Sequence, residues 1–288
     1  MKTSVVFPQI EIGDDPIVIR DFVQAVEAIG YDCLHVPDMV IGANPDRPEG
    51  FKGRYNYRSS HHEAFVLLGY AAALTKSLEL TTGVLVLPQR PTVLVAKQAA
   101  EIDLLSGGRL RLGVGVGETD LEMQALGYDF GDRGRRIEEQ ILVLRELWTK
   151  SLVTFKGEFH TIDDMGIFPM PIQRPIPIWI GGEADVVIRR MARLGEGWML
   201  NRAFPEEAKP LIQKLHGYLE QEGRRPDEFG IDVRVNLSKH LRDTWARLVE
   251  GWRELGVTYI GVNTMGSGLE TLGERLEAIE AFKLETGL

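Results

Sequence analysis

The sequence contains very little cysteine, because Cys33 is the single cysteine among 288 residues. One thiol cannot form a disulfide within the chain, so the fold does not depend on an internal disulfide bond. Cys33 lies in a short apolar stretch, where a free cysteine usually behaves as a small hydrophobic residue. We therefore expect Cys33 to be an unreactive, packed side chain of a strand.

Long apolar runs and an excess of positive charge are also missing. No stretch approaches the ~20 apolar residues that span a bilayer. The first segment, MKTSVVFPQIEIGDD, is too short and too polar for a signal peptide. The formal net charge of −9 argues against a surface for nucleic acids or anionic membranes. We expect a cytoplasmic protein of enzyme size that binds neither nucleic acid nor membrane.

Several catalytic motifs are absent as well. The sequence has no G-x-S-x-G elbow and no cysteine–histidine arrangement, so it does not support nucleophilic hydrolysis. His61 and His62 could contact a substrate or cap a helix, but no ligand cluster accompanies them and we expect no metal. The basic group Arg133, Arg135 and Arg136 could meet an anionic tail, although it also suits a solvated helix start.

The most informative stretch is residues 80–127. An apolar run rich in β-branched residues breaks at Pro88, and an amphipathic helix follows that ends at a glycine pair. A second apolar run then opens into alternating glycines that end at Gly117. Strand, helix and strand in this order form a βαβ unit of a buried parallel sheet. The strand ends near Gly83 and Gly115 should lie side by side, and we expect the active site there.

The rest of the chain continues this alternation of strands and helices. The predicted strands cover residues 4–7, 33–36, 78–87, 110–114, 176–180, 197–200, 231–237 and 259–262. The predicted helices cover residues 16–29, 62–74, 93–105, 135–148, 184–194, 205–221, 244–255 and 271–286. Eight of each predict an α/β fold, a (β/α)8 TIM barrel, with residues 1–288 as a single domain. An open doubly wound sheet is the alternative, but it rarely keeps eight strict alternations.

Two long segments interrupt the alternation. Residues 37–60 are polar and follow the second strand directly, whereas residues 152–175 contain several prolines and a predicted hairpin, TFKGEFHTI. Loops after barrel strands lie at the C-terminal mouth, where barrel active sites are built. Long loops in a compact domain are often lids or binding loops. We therefore expect insertion loops at the C-terminal mouth.

Several phrases of the sequence carry a family resemblance. They are GVLVLPQRPTVLVAKQAAEIDLLSGGRLRLGVGVG, then ALGYDF with RGRR, then PIPIWIGG and ARLGEGW, all between Gly83 and Trp198. In this order they resemble the luciferase-like monooxygenase superfamily, and most closely its branch that uses the deazaflavin coenzyme F420. The resemblance implies a barrel of the luciferase-like type with a dissociable flavin or deazaflavin at its mouth.

The glycine string at 113–117 has G-x-G-x-G spacing, which differs from the G-x-G-x-x-G dinucleotide fingerprint. By itself it indicates a tight turn after a strand. The resemblance implies that Gly115, Val116 and Gly117 contact the cofactor. Val116 stands where bacterial luciferase has an arginine for the phosphate. Backbone N–H groups of this loop would then have to supply the phosphate contacts.

Two further glycine sites match the family. Gly181 and Gly182 follow an apolar strand and open a helix, whose unsatisfied N–H groups suit a phosphate. An ordinary strand-to-helix turn has the same sequence. Gly83 and Val84 match the point where several relatives have a non-proline cis peptide against the cofactor ring. The resemblance therefore implies cofactor-binding roles for all four residues.

Acidic residues near the mouth are the candidates for proton transfer and hydrogen bonding. Relatives commonly have an acidic residue and then a histidine after the second strand, and in the sugar-phosphate dehydrogenase branch this histidine is the catalytic base. This chain has Asp38 and Met39, and methionine cannot transfer a proton. Asp38 is expected to bind a ribityl hydroxyl of the cofactor or to cap a turn. Glu118 matches an acidic proton donor of that branch and is our candidate catalytic residue; a glutamate favoured by a helix N-terminus is the alternative.

The resemblance implies hydride transfer between F420 and a small organic substrate. The alternative is a two-component monooxygenase that receives reduced FMN from a separate reductase and activates oxygen. A third class is a barrel that binds the cofactor without catalysis. Family members usually dimerise through helices beside the early strands, so we expect a homodimer.

The choice between the two cofactors depends on charge. F420 continues beyond its phosphate into an acidic oligoglutamate tail, whereas FMN needs one strong phosphate contact, which Val116 cannot supply. Basic residues of the first insertion that could receive the tail are Arg47, Lys52, Arg54 and Arg58. We predict that F420 binds at least tenfold tighter than FMN, a difference of ~1.4 kcal/mol.

Overall fold

The computed structural model describes residues 1–51, 53–237 and 239–288. Its strands are β1 (Lys2–Val6), β2 (Cys33–Val36), β3 (Glu79–Thr82), β4 (Leu85–Val86), β5 (Leu110–Gly115), β6 (Val153–Lys156), β7 (Thr161–Met165), β8 (Ile178–Gly181), β9 (Gly197–Leu200), β10 (Gly230–Asn236) and β11 (Tyr259–Asn263). Its α-helices are α1 (Pro16–Ala28), α2 (Ala64–Leu74), α3 (Thr92–Ser106), α4 (Asp120–Ala125), α5 (Arg133–Thr149), α6 (Asp185–Leu194), α7 (Pro205–Gln221), α8 (Trp245–Glu254) and α9 (Leu272–Thr286). Short 3₁₀ helices lie at Leu87–Gln89, Pro226–Glu228 and Lys239–Thr244.

Eight parallel strands close into a barrel. Their order around the ring is β1, β2, β3, β5, β8, β9, β10 and β11, and β11 pairs again with β1. The ring closes where β3 pairs with β5, with Leu80 opposite Leu110. The short β4 continues the wall beyond β3 and also pairs with β5. The predicted (β/α)8 barrel is confirmed, and each predicted strand and helix has its counterpart in the structure.

Local sequence signals begin and end the helices. The Asp15 side chain caps α1 by accepting a hydrogen bond from the Ile17 N–H at 2.8 Å. Thr271 and Glu274 form a capping box at the start of α9. Helix α3 ends at Gly107, whose φ of 74° lies in the left-handed region that glycine adopts without steric cost.

The aromatic and aliphatic core lies between the barrel and its helices. Its largest fully buried side chains are Trp148, Trp198, Trp252, Phe7, Phe22 and Phe282. Full burial of a side chain of this kind contributes about 1.5–3 kcal/mol, so this layer holds the helices onto the barrel. Cys33 is also fully buried, and burial raises the pKa of its thiol to about 12. The thiol therefore stays protonated and unreactive.

The two insertions lie in different places. Residues 37–60 follow β2 and lie at the mouth, as expected. The second insertion contains the predicted hairpin, formed by β6 and β7. His160 at the hairpin lies 2.6 Å from the Thr92 hydroxyl of α3 and 2.7 Å from Glu139 of α5. The hairpin therefore packs along the outside of these helices, with His160 beside Thr92, the first residue of α3.

Helix α4 has no counterpart among the predicted elements. It has six residues, DLEMQA, which are too few to show a helical period in the sequence. It follows the glycine string at the end of β5 and therefore lies at the mouth.

Within the described residues, no helix is both long and apolar enough to cross a lipid bilayer.

Candidate active site at the barrel mouth

Val84 lies between two glycines at the mouth. A Cβ atom at Gly115 would lie 2.7 Å from Cγ2 of Val84, and one at Gly181 would lie 3.0 Å from Cγ1. Strands β5 and β8 can approach Val84 this closely because both positions lack a side chain. We call Val84, Gly115 and Gly181 the glycine cradle. It brings together three of the predicted cofactor-binding residues.

The turn before the cradle is held from two walls of the barrel. The peptide bond between Gly83 and Val84 is cis, as the resemblance implied. The Gly83 N–H donates to the carbonyl oxygen of Val36 at 2.7 Å, which ties the turn to the end of β2. The carbonyl oxygen of Gly83 accepts a hydrogen bond from Nη2 of Arg234 at 2.7 Å. A Cβ atom at Gly83 would lie 2.8 Å from that nitrogen, so a side chain would disturb the contact.

The loop after β5 makes the tight turn that its glycines predict. Gly117 has a φ of +78°, and a Cβ atom there would lie 2.7 Å from Cγ1 of Val86. Val116 packs against the hydrophobic core. Glu118 is exposed and makes no hydrogen bond or ion pair with any residue that the structure describes. Cofactor contact by this loop and catalysis by Glu118 stay predictions.

Gly181 and Gly182 lead from β8 into α6. Gly182 has a φ of +120°, and its carbonyl oxygen accepts a hydrogen bond from Nε1 of Trp198 at 2.8 Å. Ala184 is the N-cap of α6 and provides no side-chain cap. The first N–H groups of the helix are therefore available to an anionic ligand.

Two carboxylates beside this helix start have basic or hydroxyl partners. Asp185 accepts hydrogen bonds from Nε of Arg189 at 2.9 Å and from the hydroxyl of Tyr218 at 2.8 Å. Glu183 forms an ion pair with Arg202, which follows β9. The charge of Glu183, which would repel a phosphate, is therefore balanced. Sequence reasoning did not identify Arg202, because nothing in its local sequence shows that it meets Glu183.

Asp38 is engaged within the protein. Its Oδ1 atom lies 2.6 Å from Nη2 of Arg90, and its Oδ2 atom accepts a hydrogen bond from the Val86 N–H at 3.0 Å. Arg90 also pairs with Glu63 at 2.8 Å. Burial raises the pKa of the Asp38 carboxyl, and the adjoining Arg90 guanidinium opposes that rise. Asp38 thus holds the segment after the cis turn, and its expected bond to a ribityl hydroxyl stays a prediction.

The first insertion covers a cleft of about 210 Å³ beside α4. Oε1 of Glu122 in α4 accepts hydrogen bonds from the N–H groups of Val40 at 2.8 Å and Ile41 at 3.4 Å. These bonds hold the start of the insertion over the cleft. Its apolar lining consists of Met39, Ile41, Ala43, Phe51, Tyr55, Leu121 and Ala125, and the charged side chains of Arg47 and Glu122 also line it. The cleft therefore suits a small, largely apolar molecule.

The two adjacent histidines have different surroundings. His62 lies with Nε2 3.0 Å from the carbonyl oxygen of Gly13, and its N–H donates to Gln9 at 2.8 Å, so it connects the insertion to the first strand's loop. The ring of His61 lies 4.9 Å from that of Tyr55, which lines the cleft. Burial lowers the pKa of His61. His61 is therefore a neutral imidazole close to the cleft.

The basic residues of the first insertion are partly occupied. Arg47 pairs with Glu49 at 3.1 Å, and the Arg58 guanidinium donates to the hydroxyl of Tyr57 at 2.9 Å. Arg54 is exposed, with its guanidinium 5.2 Å from the ring of Tyr55. Lys52 lies outside the described residues. Of the described basic residues of this insertion, Arg54 makes no ion pair or hydrogen bond with another described residue, so it can meet an anionic tail without losing a partner.

The basic group at the start of α5 has its own partners. Arg136 forms an ion pair with Asp132 at 2.5 Å, and Arg135 pairs with Glu158 at 3.2 Å. The Arg133 guanidinium lies 3.6 Å from the ring centroid of Phe130. All three arginines therefore have partners within the protein, and their contact with an anionic tail stays a prediction. Elsewhere in the described ranges, no cluster of three or more His, Cys, Asp or Glu residues could hold a metal ion.

A buried cluster of charged groups lies inside the barrel below the mouth. Oδ2 of Asp232 in β10 lies 2.9 Å from Nε2 of His35 and 2.7 Å from Nη2 of Arg111. The Arg111 guanidinium lies between the rings of Trp179 and Tyr259, 4.1 and 4.3 Å from their centroids. We call His35, Arg111 and Asp232 the interior cluster. It replaces the branched aliphatic side chains that usually fill such barrels.

Sequence reasoning missed the interior cluster, although a signal was present. His35 in CLHV, Arg111 in LRLG, and Asp232 and Arg234 in IDVRV alternate with apolar residues. Because strand side chains alternate between two faces, polar residues at alternate positions mark the face that points into the barrel. Burial by itself would raise the pKa of Asp232, but His35, Arg111 and Arg234 lower it to about 2. Burial lowers the pKa of His35, so its imidazole is neutral.

A profile of the luciferase-like monooxygenase family matches residues 8–281. The chain therefore belongs to this family, whose members are oxidoreductases and monooxygenases. An uncharacterised protein of Mycobacterium bovis is 35% identical over 270 residues, which cover 90% of this chain and 91% of the relative.

Two relatives with named activities match part of the chain. An F420-dependent glucose-6-phosphate dehydrogenase of Amycolatopsis mediterranei is 33% identical over 62% of this chain and 53% of the relative. A pyrimidine monooxygenase of Allorhizobium ampelinum is 31% identical over 62% of this chain and 51% of the relative. Among solved structures, an F420-dependent secondary alcohol dehydrogenase with an F420–acetone adduct superposes with a TM-score of 0.79 at 17% identity, covering 99% of this chain and 98% of the other. This likeness shows the same fold.

Proposed function

We propose that this chain is an oxidoreductase that transfers a hydride between coenzyme F420 and a small organic substrate. The observation that carries the proposal is the glycine cradle. A flat ring system needs a smooth support at the mouth, and Val84 presents one between two strands that lack side chains at Gly115 and Gly181. When bound, the deazaflavin supplies or accepts the hydride. The protein binds the ring, orients it and excludes water around it.

The phosphate of the cofactor is assigned to backbone donors. Gly117 turns the chain after β5, and the uncapped start of α6 follows Gly182. Peptide N–H groups at a helix start attract anions through their partial positive charge. Val116 packs into the core and cannot provide a cation. We assign Val116, Gly117 and Gly182 to this part of the cofactor site, next to Gly115 and Gly181 of the glycine cradle.

Cofactor identity is the finer part of the proposal. Relatives and structural neighbours include F420-dependent enzymes and monooxygenases, which supports a cofactor of the F420 or flavin kind. We favour F420, because backbone donors alone would bind the phosphate of FMN weakly. The acidic tail of F420 can gain further contacts with exposed Arg54. One observation favours the alternative, a two-component monooxygenase supplied with reduced FMN by a reductase. Arg202 lies against Glu183, next to Gly182, and could turn toward a phosphate.

Parallel fluorescence titrations of the purified protein with F420 and FMN at moderate salt test the proposal. We expect F420 to bind at least tenfold more tightly, a difference of ~1.4 kcal/mol. Tighter FMN binding would favour the monooxygenase. Stoichiometric binding of F420 without reduction of any carbonyl substrate would favour a barrel that binds the cofactor without catalysis.

Proton transfer is assigned to the acidic end of the glycine loop. Glu118 follows Gly117 at the mouth and is exposed, so it can reach a bound substrate without breaking an internal contact. His61 is a second group of suitable chemistry near the cleft. If Glu118 is the acid, Glu118→Gln should lower turnover about 10²-fold while F420 affinity stays unchanged. The same loss in His61→Gln, with a fully active Glu118→Gln, would transfer the role to His61.

A further inference from the structure

Arg234 crosses the barrel from one wall to the other. It lies on β10, and its Nη2 atom donates to the carbonyl oxygen of Gly83, which follows β3. In the ring of eight strands, β3 and β10 are four places apart, so they lie on opposite walls. Gly83 immediately precedes Val84 of the glycine cradle. The guanidinium of Arg234 therefore lies at the floor of the mouth, beside the proposed cofactor site.

The charge of Arg234 has no carboxylate to balance it. Across the described parts of the chain, no Asp or Glu oxygen lies within 4.0 Å of its guanidinium. The nearest acidic residue on its strand is Asp232, which is already shared by His35 and Arg111. With a neutral His35, the two arginines and the one aspartate leave an excess of one positive charge in the barrel interior.

Most of the hydrogen-bonding capacity of Arg234 is also unused. A guanidinium has five N–H donors in a planar fork, and the bond to Gly83 uses one of them. Arg234 is mostly buried, but its Nε and Nη1 atoms, unlike those of Arg111, keep contact with solvent. They therefore face the space of the mouth. Leaving a mostly buried cation without a carboxylate partner is costly, and an anionic ligand would remove that cost.

We propose that Arg234 binds a planar oxyanion at the floor of the mouth. A guanidinium fork matches two coplanar oxygens, which a carboxylate provides. The oxyanion has two possible sources, the carboxylate of a substrate or the N1–C2–O2 edge of the reduced, anionic cofactor ring. The second source rests on the proposed function, whereas the first does not require any cofactor. Arg234 is a binding residue in both cases.

The first experiment uses benzoate and acetate with the protein free of cofactor. Calorimetric titration should show carboxylate binding to the wild-type protein and at least tenfold weaker binding to Arg234→Gln. Arg234→Lys keeps the charge but loses the fork, so its affinity should lie between the two. Arg225→Gln, which removes an exposed arginine before the start of β10 and away from the mouth, is the control and should bind like the wild type.

The second experiment compares oxidised and reduced F420. If the ring is the source, Arg234→Gln should weaken the binding of reduced F420 at least tenfold and leave the binding of oxidised F420 nearly unchanged. Circular dichroism establishes that each variant is folded, and Arg234→Lys replaces Arg234→Gln if the latter is not. Wild-type protein that binds neither carboxylate, and binds both cofactor forms equally, overturns the inference. Failure of wild-type protein to bind F420 at all refutes the proposed function but leaves the carboxylate experiment valid.

Discussion

Asp38 and Arg90 form a buried ion pair that connects the end of β2 to the start of α3. The Asp38 side chain is fully buried and that of Arg90 is 11% exposed, with 2.6 Å between Oδ1 and Nη2. The same carboxylate accepts the Val86 N–H, so it also holds the segment that follows the glycine cradle. The residue that sequence comparison assigned to the cofactor thus also supports the wall against which the cofactor would rest.

Asp38→Ala should destabilise the protein strongly. It leaves the Arg90 charge and the Val86 N–H buried with fewer partners, and loss of one member of a buried pair costs about 3–5 kcal/mol. Urea unfolding measures the change in free energy. Asp46→Ala removes the partner of Arg58 in an exposed pair at 4.0 Å and should have little effect. Equal stability of the two variants would show that the Asp38–Arg90 pair contributes nothing to the fold.

Gly182→Val should abolish most cofactor binding. The side chain would stand beside the start of α6, where the phosphate is assigned, and the loss of F420 affinity should be at least tenfold. The φ of +120° and a contact of 3.1 Å from its Cβ to Val187 also impose a conformational cost of about 1–3 kcal/mol. The variant should therefore fold but melt at a lower temperature.

Gly223→Val is the matched control for this strain. Gly223 follows α7, has a φ of +69°, and a Cβ atom there meets no atom within 4 Å. It should lose stability without losing affinity for F420. Unchanged affinity in Gly182→Val would remove the phosphate from this helix start.

Stability should fall as the pH drops from 7 toward 5. Burial holds the pKa of His35 and of His61 below the unfolded value of about 6.5. Just below that pH the unfolded chain binds more protons than the folded chain, so protonation favours unfolding. Asp232, with a pKa of about 2, loses its contribution only below the unfolded value near 4.

Thermal unfolding at several pH values measures this dependence. His35→Asn should flatten the change between pH 7 and 5, and His61→Gln should remove the part due to His61. A wild-type stability that stays constant over this range contradicts the buried, neutral state of both histidines.

A homodimer should form through the face of α1, α2 and α3. This face exposes several apolar side chains, which are Ile17, Val66, Tyr70, Val93 and Leu94. Helix α2 is apolar on all sides, which is typical of a helix that is buried on both faces. Val66 is 73% exposed, and Val66→Glu should convert the dimer to a monomer in light scattering. Leu284→Glu on α9, at an 82% exposed position, is the control and should remain dimeric; a dimeric Val66→Glu would assign the interface elsewhere.

The sequence by itself determined the barrel and the position of its cradle. Alternating apolar strands and amphipathic helices are local patterns, and each is readable without knowledge of distant residues. The glycines at 83, 115, 117, 181 and 182 were also identifiable, because family phrases surround them and the loops in which they lie are short. The hairpin of β6 and β7 was also predictable, because its sequence pattern is local. Its position on the outside of α3 and α5 was not predictable, because it depends on distant residues.

Only the tertiary structure decided which side chains meet inside the barrel. Arg234 contacts Gly83 across 151 residues of sequence, and Arg111 contacts Asp232 across 121. The alternation within each strand shows that such a side chain points inward, but it does not show which partner lies on the opposite wall. That pairing depends on the register and closure of eight strands, so the interior charges, and the unbalanced arginine among them, became visible only when the ring was complete.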